Sequence, residues 1–224
     1  MFNIINKSEN WRVAKLFING SGKKIAKSIA EKVLLNCNLP KSTSIEYELF
    51  WKGYRDYCDH IDGKSRNVDI KDRALQVYNT KFKSLRAEIE KYNASYFPKL
   101  NLDDCGRNYT VSSESIDDFF MNLYNTEIDI VIRAGDCFLI GEVKHTQSFS
   151  ADSGHILVHQ LLRQYVVASI ILEEISRMES KKFRVIPFII ADGNAKNTGQ
   201  IKLLQHLGWL DEKNIFSWSS FECE

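Results

Sequence analysis

Glu127-Ile-Asp-Ile-Val-Ile-Arg-Ala-Gly-Asp-Cys-Phe-Leu-Ile-Gly-Glu-Val-Lys144 holds two β-like runs separated by the turn-forming pair Gly135-Asp136. A two-residue hairpin turn with Gly supplying the positive φ places Ala134 opposite Cys137. Every later pair keeps the same sum, so Asp129 is expected opposite Glu142, and Glu127 opposite Lys144. Side chains alternate along a strand, so Glu127, Asp129 and Val131 share a face with Ile140, Glu142 and Lys144. Ile128, Ile130 and Ile132 share the other with Leu139 and Val143. One face is built for burial, and the other gathers charge. Two carboxylates opposite each other destabilise an ordinary sheet. A hard divalent cation such as Mg²⁺ needs oxygen ligands in that arrangement, which makes Asp129 and Glu142 candidate metal ligands. Glu-x-Lys by itself is common on half-exposed strands, and Glu127 with Lys144 also fits a solvated cross-strand ion pair of little consequence.

The flanking sequence is α/β in character. Before the hairpin, the spacing predicts a short helical pair, Asn10 to Ile18 and Lys24 to Leu35, with Ile25, Ile29, Ala30 and Val33 on one face of the second. Gly20-Ser-Gly22-Lys23 between them lacks the earlier Gly and the following Ser or Thr of a phosphate-binding loop, since Phe17 and Lys24 hold those places. It reads as a connector. Ser44 is expected to cap a further helix from Ile45 to Asp59, whose Trp51, Tyr54 and Tyr57 suit either contacts with bases or a core. A long helix from about Val68 to Tyr96, stopped by Pro98, completes this half.

After a polar stretch around Asn101 to Ser115 come the hairpin and a helix from about Gly154 to Met178, with Val158, Leu161, Leu162, Tyr165, Ser169 and Leu172 on one face. Phe183 to Ala191 is apolar on both faces, as a covered strand should be, although Pro187 requires an unpaired edge or a bulge. Thr198 is expected to cap a helix through Leu207, ended by Gly208, and Ile215 to Trp218 makes a last strand. The order strand, strand, helix, strand, helix, strand indicates an α/β sheet with crossover connections. Two regions are expected, a basic helical part over 1–66 and an α/β core over 67–224.

Composition narrows the function classes. The chain has 224 residues, 44% of them hydrophobic, and only three prolines, which suits one large folded domain rather than a disordered segment. It has no apolar stretch of membrane-spanning length and no apolar signal-peptide core near the amino terminus, so the expected location is the cytoplasm. Five cysteines without a C-x-x-C pair support neither a disulfide framework nor a zinc site. The net charge of +1 hides an asymmetry: residues 1–99 carry 19 Lys/Arg against 11 Asp/Glu, and residues 100–224 carry 11 against 18. A basic half suits a polyanion and an acidic half a cation site, whereas any single run such as Lys23-Lys24 reads as a solvated helix face.

The stretch from Glu127 to Tyr165 resembles the core of the PD-(D/E)XK nuclease superfamily, the restriction-endonuclease-like fold. Asp129 matches the first acid, Glu142 and Lys144 match the Glu/Asp-x-Lys motif on the next strand, and Gln160-Leu-Leu-Arg-Gln-Tyr165 resembles the following helix signature. Ile128 stands where many members have Pro. The resemblance implies a mixed sheet flanked by helices and a Mg²⁺-dependent endonuclease, Mn²⁺ being able to substitute. Its substrate would be nucleic acid, most readily double-stranded DNA, in restriction, defence or repair. It also implies a further acid from an upstream helix, for which Glu88 is the first candidate and Glu48 the second.

The chemistry fits these residues. Phosphodiester hydrolysis needs a hydroxide near neutral pH and neutralisation of charge on phosphorus. A cation on Asp129 and Glu142, with the backbone carbonyl of Val143 as a further ligand, meets both needs. Lys144 is expected to orient the attacking water in preference to His145, which alternation places on the opposite face. Gln160 is expected to approach from the helix, although a solvated or capping role fits it equally, and Tyr165 falls on the apolar face. Cutting both strands of a duplex suits a homodimer with two symmetric sites. The rival readings are a nuclease-like module that binds nucleic acid or protein without cutting, and another metal-dependent phosphohydrolase acting on nucleotides.

Overall fold

The computed structural model describes residues 9–19, 21–59, 64–96, 111, 113, 115–144, 157 and 159–221. Gly135 adopts φ +61°, which is what the tight turn demands, and Ala134 pairs with Cys137 as the turn dictates. The hairpin strands β2 (Ile128–Ala134) and β3 (Cys137–Lys144) are the middle of a five-stranded mixed sheet. Its order is β1 (Ile45–Trp51), β2, β3, β4 (Arg184–Ala191), β5 (Ile215–Phe216). β1, β2 and β3 are antiparallel neighbours, whereas β4 and β5 run parallel to β3. The chain reaches β4 through α7 (Gln160–Glu179) and β5 through α8 (Gly199–His206), so each parallel step carries a helix as the geometry of such connections requires.

Both faces of the sheet are covered. On one lie α1 (Glu9–Asn19) and α2 (Gly22–Asn36), the expected helical pair, with Phe17, Ile25, Ile29 and Val33 packed on Ile130, Ile132, Leu139 and Val143. On the other lie α7 and α8, together with α3 (Gly53–Asp59), α4 (Lys64–Lys81), α5 (Leu85–Tyr96) and α6 (Ile116–Asn125). There Phe119, Leu123, Leu162 and Val166 meet Val131, Phe138 and Ile140. Each such buried side chain contributes about 1.5–3 kcal/mol relative to exposure. No helix among the described residues is long and apolar enough to cross a membrane.

Several elements differ from the sequence expectation. Ile45 to Trp51 is an edge strand rather than the start of a helix, because Ile-Glu-Tyr-Glu-Leu alternates with period two and the run is rich in residues that favour strands. It pairs with β2 from Ile45↔Ala134 to Trp51↔Ile128. Only Gly53–Asp59 of that stretch is helical. Residues 9–59 therefore supply an edge strand of the same sheet and the helices α1 and α2 on one of its faces, rather than a purely helical part. The long helix before Tyr96 is two, α4 and α5, interrupted at Phe82 to Ser84 so that Phe82 and Leu85 both reach the core. Pro98, like His145 and most of 101–114, lies outside the described residues.

α7 begins at Gln160, with His159 still extended. Thr198 occupies the N-cap position of α8 without a side-chain cap bond. The last strand stops at Phe216, with Trp218 in a 3-10 turn. Pro187 pairs with Ile140 on one side, while β5 reaches only Ile189 and Ile190 on the other, which leaves Pro187 the unpaired edge its missing N–H needs.

Candidate functional site

Asp129 sits where the strand pattern breaks. The β1–β2 register steps from Leu49↔Ile130 to Trp51↔Ile128, and the β2–β3 register ends at Ile130↔Gly141, so neither ladder includes Asp129. Facing it on β1, Phe50 has φ +57°, a left-handed conformation costly for a bulky side chain. Alternation fails at the same level. Leu49 and Ile130 pack under α1 and α2, whereas Trp51 and Ile128 join the opposite core. Instead of a backbone partner, the Asp129 carboxylate reaches β3, where its Oδ2 accepts a hydrogen bond from the Val143 N–H at 2.9 Å.

Glu142 points under the first turns of α7 and is only 2% exposed. Its Oε1 accepts from Gln160 Nε2 at 2.6 Å and lies 2.8 Å from Lys144 Nζ. Its Oε2 accepts from Gln164 Nε2 at 2.6 Å. Gln164 also donates to the Glu127 carbonyl at 2.8 Å, tying the helix to the start of β2. Gln160 and Gln164 are four residues apart, one turn of α7, which lets both amides reach one carboxylate. Burial of a carboxylate is tolerable only with such donors.

The backbone beside Lys144 is pinned too. Trp218, buried at the end of the sheet, donates its indole N–H to the Lys144 carbonyl at 3.0 Å, and the Arg12 guanidinium lies 4.6 Å from the centroid of the Trp218 ring. The N–H of Trp218 in turn donates to Asp192 Oδ1 at 3.3 Å. His159, next to Gln160, is buried, and desolvation, followed by the nearby Arg163 charge, holds its imidazole pKa down at about 4.

Four of the expected residues, Asp129, Glu142, Lys144 and Gln160, are thus assembled at adjoining ends of β2, β3 and α7, with Val143 contributing its N–H to the cluster. The expected cross-strand partner of Lys144 is different. Glu127 precedes β2 and pairs with Lys52 at 3.0 Å, leaving Lys144 to pair with Glu142 two residues away on its own strand. The expected charged face is not a solvent face, because α7 covers it.

Glu88 and Glu48 do not complete the site. Glu88 lies in α5 with its carboxylate 3.9 Å from His206 Nε2. Glu48 is on edge strand β1, paired with Val131, its pKa raised by partial burial and then by Asp56. Among the described residues no group of three or more His, Cys, Asp or Glu side chains is placed to hold a metal ion, so the described acids of the cluster are two. Trp51 and Tyr54 are core residues, and Tyr57 donates to Glu174 Oε2 at 3.2 Å. Tyr165 stacks on Trp209 at 4.1 Å between centroids. Gln164 and Trp218 were not anticipated. The four-residue interval between the two glutamines was the available signal for Gln164, and nothing local in the sequence pointed to Trp218.

No family model, no curated protein and no solved structure matches the chain.

Proposed function

We propose that the chain is a divalent-metal-dependent endonuclease hydrolysing phosphodiester bonds of nucleic acid, with double-stranded DNA as its substrate. Its working residues are Asp129, Glu142, Lys144 and Gln160, and Mg²⁺ is its cation, with Mn²⁺ able to substitute. The observation that carries the reading is the buried Glu142 carboxylate, with an ammonium 2.8 Å away on the same strand and a second carboxylate, Asp129, contributed by the neighbouring strand. Charged side chains are seldom buried this fully, and a buried ion pair contributes little net stability, so fold stability alone gives weak reason to keep one.

The donor chemistry suits Mg²⁺. Asp129 and Glu142 offer oxygen alone, and this ion is commonly held by one or two carboxylates, with water and substrate phosphate completing its sphere. Bound there, it would neutralise phosphate charge and make a hydroxide available near neutral pH. The protein's own groups have distinct tasks. Gln160 and Gln164 hold one Glu142 oxygen each and so fix the plane of the carboxylate. Lys144 places a positive charge where negative charge develops on the phosphoryl oxygens and orients the attacking water. Asp129 at the Val143 N–H and Trp218 at the Lys144 carbonyl keep that backbone from shifting, which matters because small misplacements reduce rates steeply.

The excess of Lys/Arg over residues 1–99 favours a polyanionic substrate whose affinity falls with salt. A symmetric dimer would present two such sites to the two strands. Incubating the protein with plasmid or linear duplex and Mg²⁺ or Mn²⁺ tests the proposal. Cleavage is expected, and Lys144→Ala is expected to reduce its rate at least about a hundredfold. Cleavage that survives Lys144→Ala rejects the site. No cleavage of DNA or RNA with either ion rejects the nuclease, and a gel-shift assay then shows whether the chain binds duplex without cutting. Hydrolysis of mononucleotides alone would instead make it a nucleotide phosphohydrolase.

A further inference from the structure

Along α7 from Tyr165 to Ser176, the helix, the beginning of β4 and the segment after α8 line an open cavity of about 660 Å³. Ser169, a buried contributor from α7, is nine residues beyond Gln160, roughly 14 Å along a helix axis. Its size falls in the range of small-molecule sites, about 300–1,000 Å³.

Its lining has three chemical parts. One wall is aromatic: Tyr165 and Trp209 are stacked, 4.1 Å between centroids and 12° between planes, and Phe82 stands edge-on to Trp209 at 5.6 Å. Buried polar groups follow, Ser169 and Asn214, the second held by the side chain of Asn36 and by Cys37 Sγ. Around the rim are Lys81, Arg184, Glu173 and Asp211. Glu173 pairs with Lys81 at 2.5 Å, and Asp211 Oδ1 accepts from the Lys213 N–H at 2.9 Å. An adjoining groove of about 600 Å³ shares Lys81, Glu173 and Ser176 with the cavity and extends it past Lys182. Arg184 on the cavity rim and Lys182 in the groove have no carboxylate partner among the described residues.

A flat aromatic wall with the Ser169 hydroxyl beside it suits a heteroaromatic ring, because stacking accepts any base and a hydroxyl can meet its edge. An Arg and a Lys without carboxylate partners suit phosphate. We propose that this cavity binds a nucleotide, the base against Tyr165 and Trp209 and the phosphate at Arg184 and Lys182. The site is separate from the acid cluster and stands whether or not that cluster cleaves nucleic acid.

Isothermal titration of the full chain in EDTA with AMP, GMP, CMP or UMP tests it, with adenosine and inorganic phosphate as partial ligands. One nucleotide per chain is expected, bound at least about tenfold more tightly than adenosine or phosphate alone. Arg184→Ala, at an exposed position, is expected to weaken binding about tenfold. Ser176→Trp, which fills the junction of cavity and groove, should abolish it, with circular dichroism confirming that both variants fold. Absence of binding by all four nucleotides at millimolar concentration overturns the proposal. So does affinity unaffected by both Arg184→Ala and Ser176→Trp, or adenosine binding as tightly as AMP.

Discussion

Glu142 and Lys144 form an ion pair with both partners less than a tenth exposed, and such pairs are costly to break one-sidedly. Removing the ammonium leaves a buried carboxylate without its paired cation. Lys144→Met is therefore expected to lower unfolding stability by about 3–5 kcal/mol, and adding Glu142→Gln to restore much of that loss. Urea denaturation of the two variants checks this, and a double variant no more stable than the single one contradicts it. His159 sets a pH dependence at the same scale. Its folded pKa, about 4, lies below the ordinary value of 6.5, so the folded state disfavours the imidazolium. The resulting contribution to stability is present above about pH 6.5 and is lost as pH falls toward 4, by up to about 1.4 kcal/mol per pH unit. His159→Gln should flatten the melting temperature against pH across that window, and an unchanged slope would rule the imidazole out as its source.

Gly141 shows at the level of the element why β3 can lie against β4. A Cβ there would sit 2.2 Å from the ring of Phe188, which is fully buried, so Gly141→Ala should cost about 1–3 kcal/mol in thermal or chemical unfolding. A neutral effect would mean that the strands can part. The hairpin containing this glycine was readable in the sequence because two local signals agree, the turn glycine and the two-residue alternation, and that alternation along β3 brings Glu142 and Lys144 to one side. β1 was also written in an alternating pattern, but Ser44 and the cluster of aromatics suggested a helix. Both readings are locally reasonable, and pairing with β2 decides between them. The position of Asp129 was only partly legible. Its place on β2 follows from the sequence, but its reach to the Val143 N–H depends on Phe50 turning left-handed on the adjacent strand, which no pattern in residues 45–51 announces. The third acid failed for a related reason: Glu88 has the right residue type and helix, but the packing of α5 brings it beside His206.

Across the molecule, the amino-terminal helices are part of the fold rather than an appendage. They bury the sheet face formed by Ile130, Ile132, Leu139 and Val143, and Arg12 packs over Trp218. A chain starting after Cys37 should therefore lose cooperative unfolding and expose apolar surface, seen by differential scanning calorimetry and dye binding. A sharp transition at the full-length temperature would contradict that account. The proposed nuclease requires that Asp129 and Glu142 together hold a divalent cation beside Lys144. Titration of the protein with Mn²⁺, followed by the electron paramagnetic resonance of the free ion, tests it most directly. The wild-type chain should remove Mn²⁺ from solution at a site that Mg²⁺ displaces and that Asp129→Asn/Glu142→Gln eliminates, whereas equal uptake by the double variant, or none by either protein, would contradict the claim.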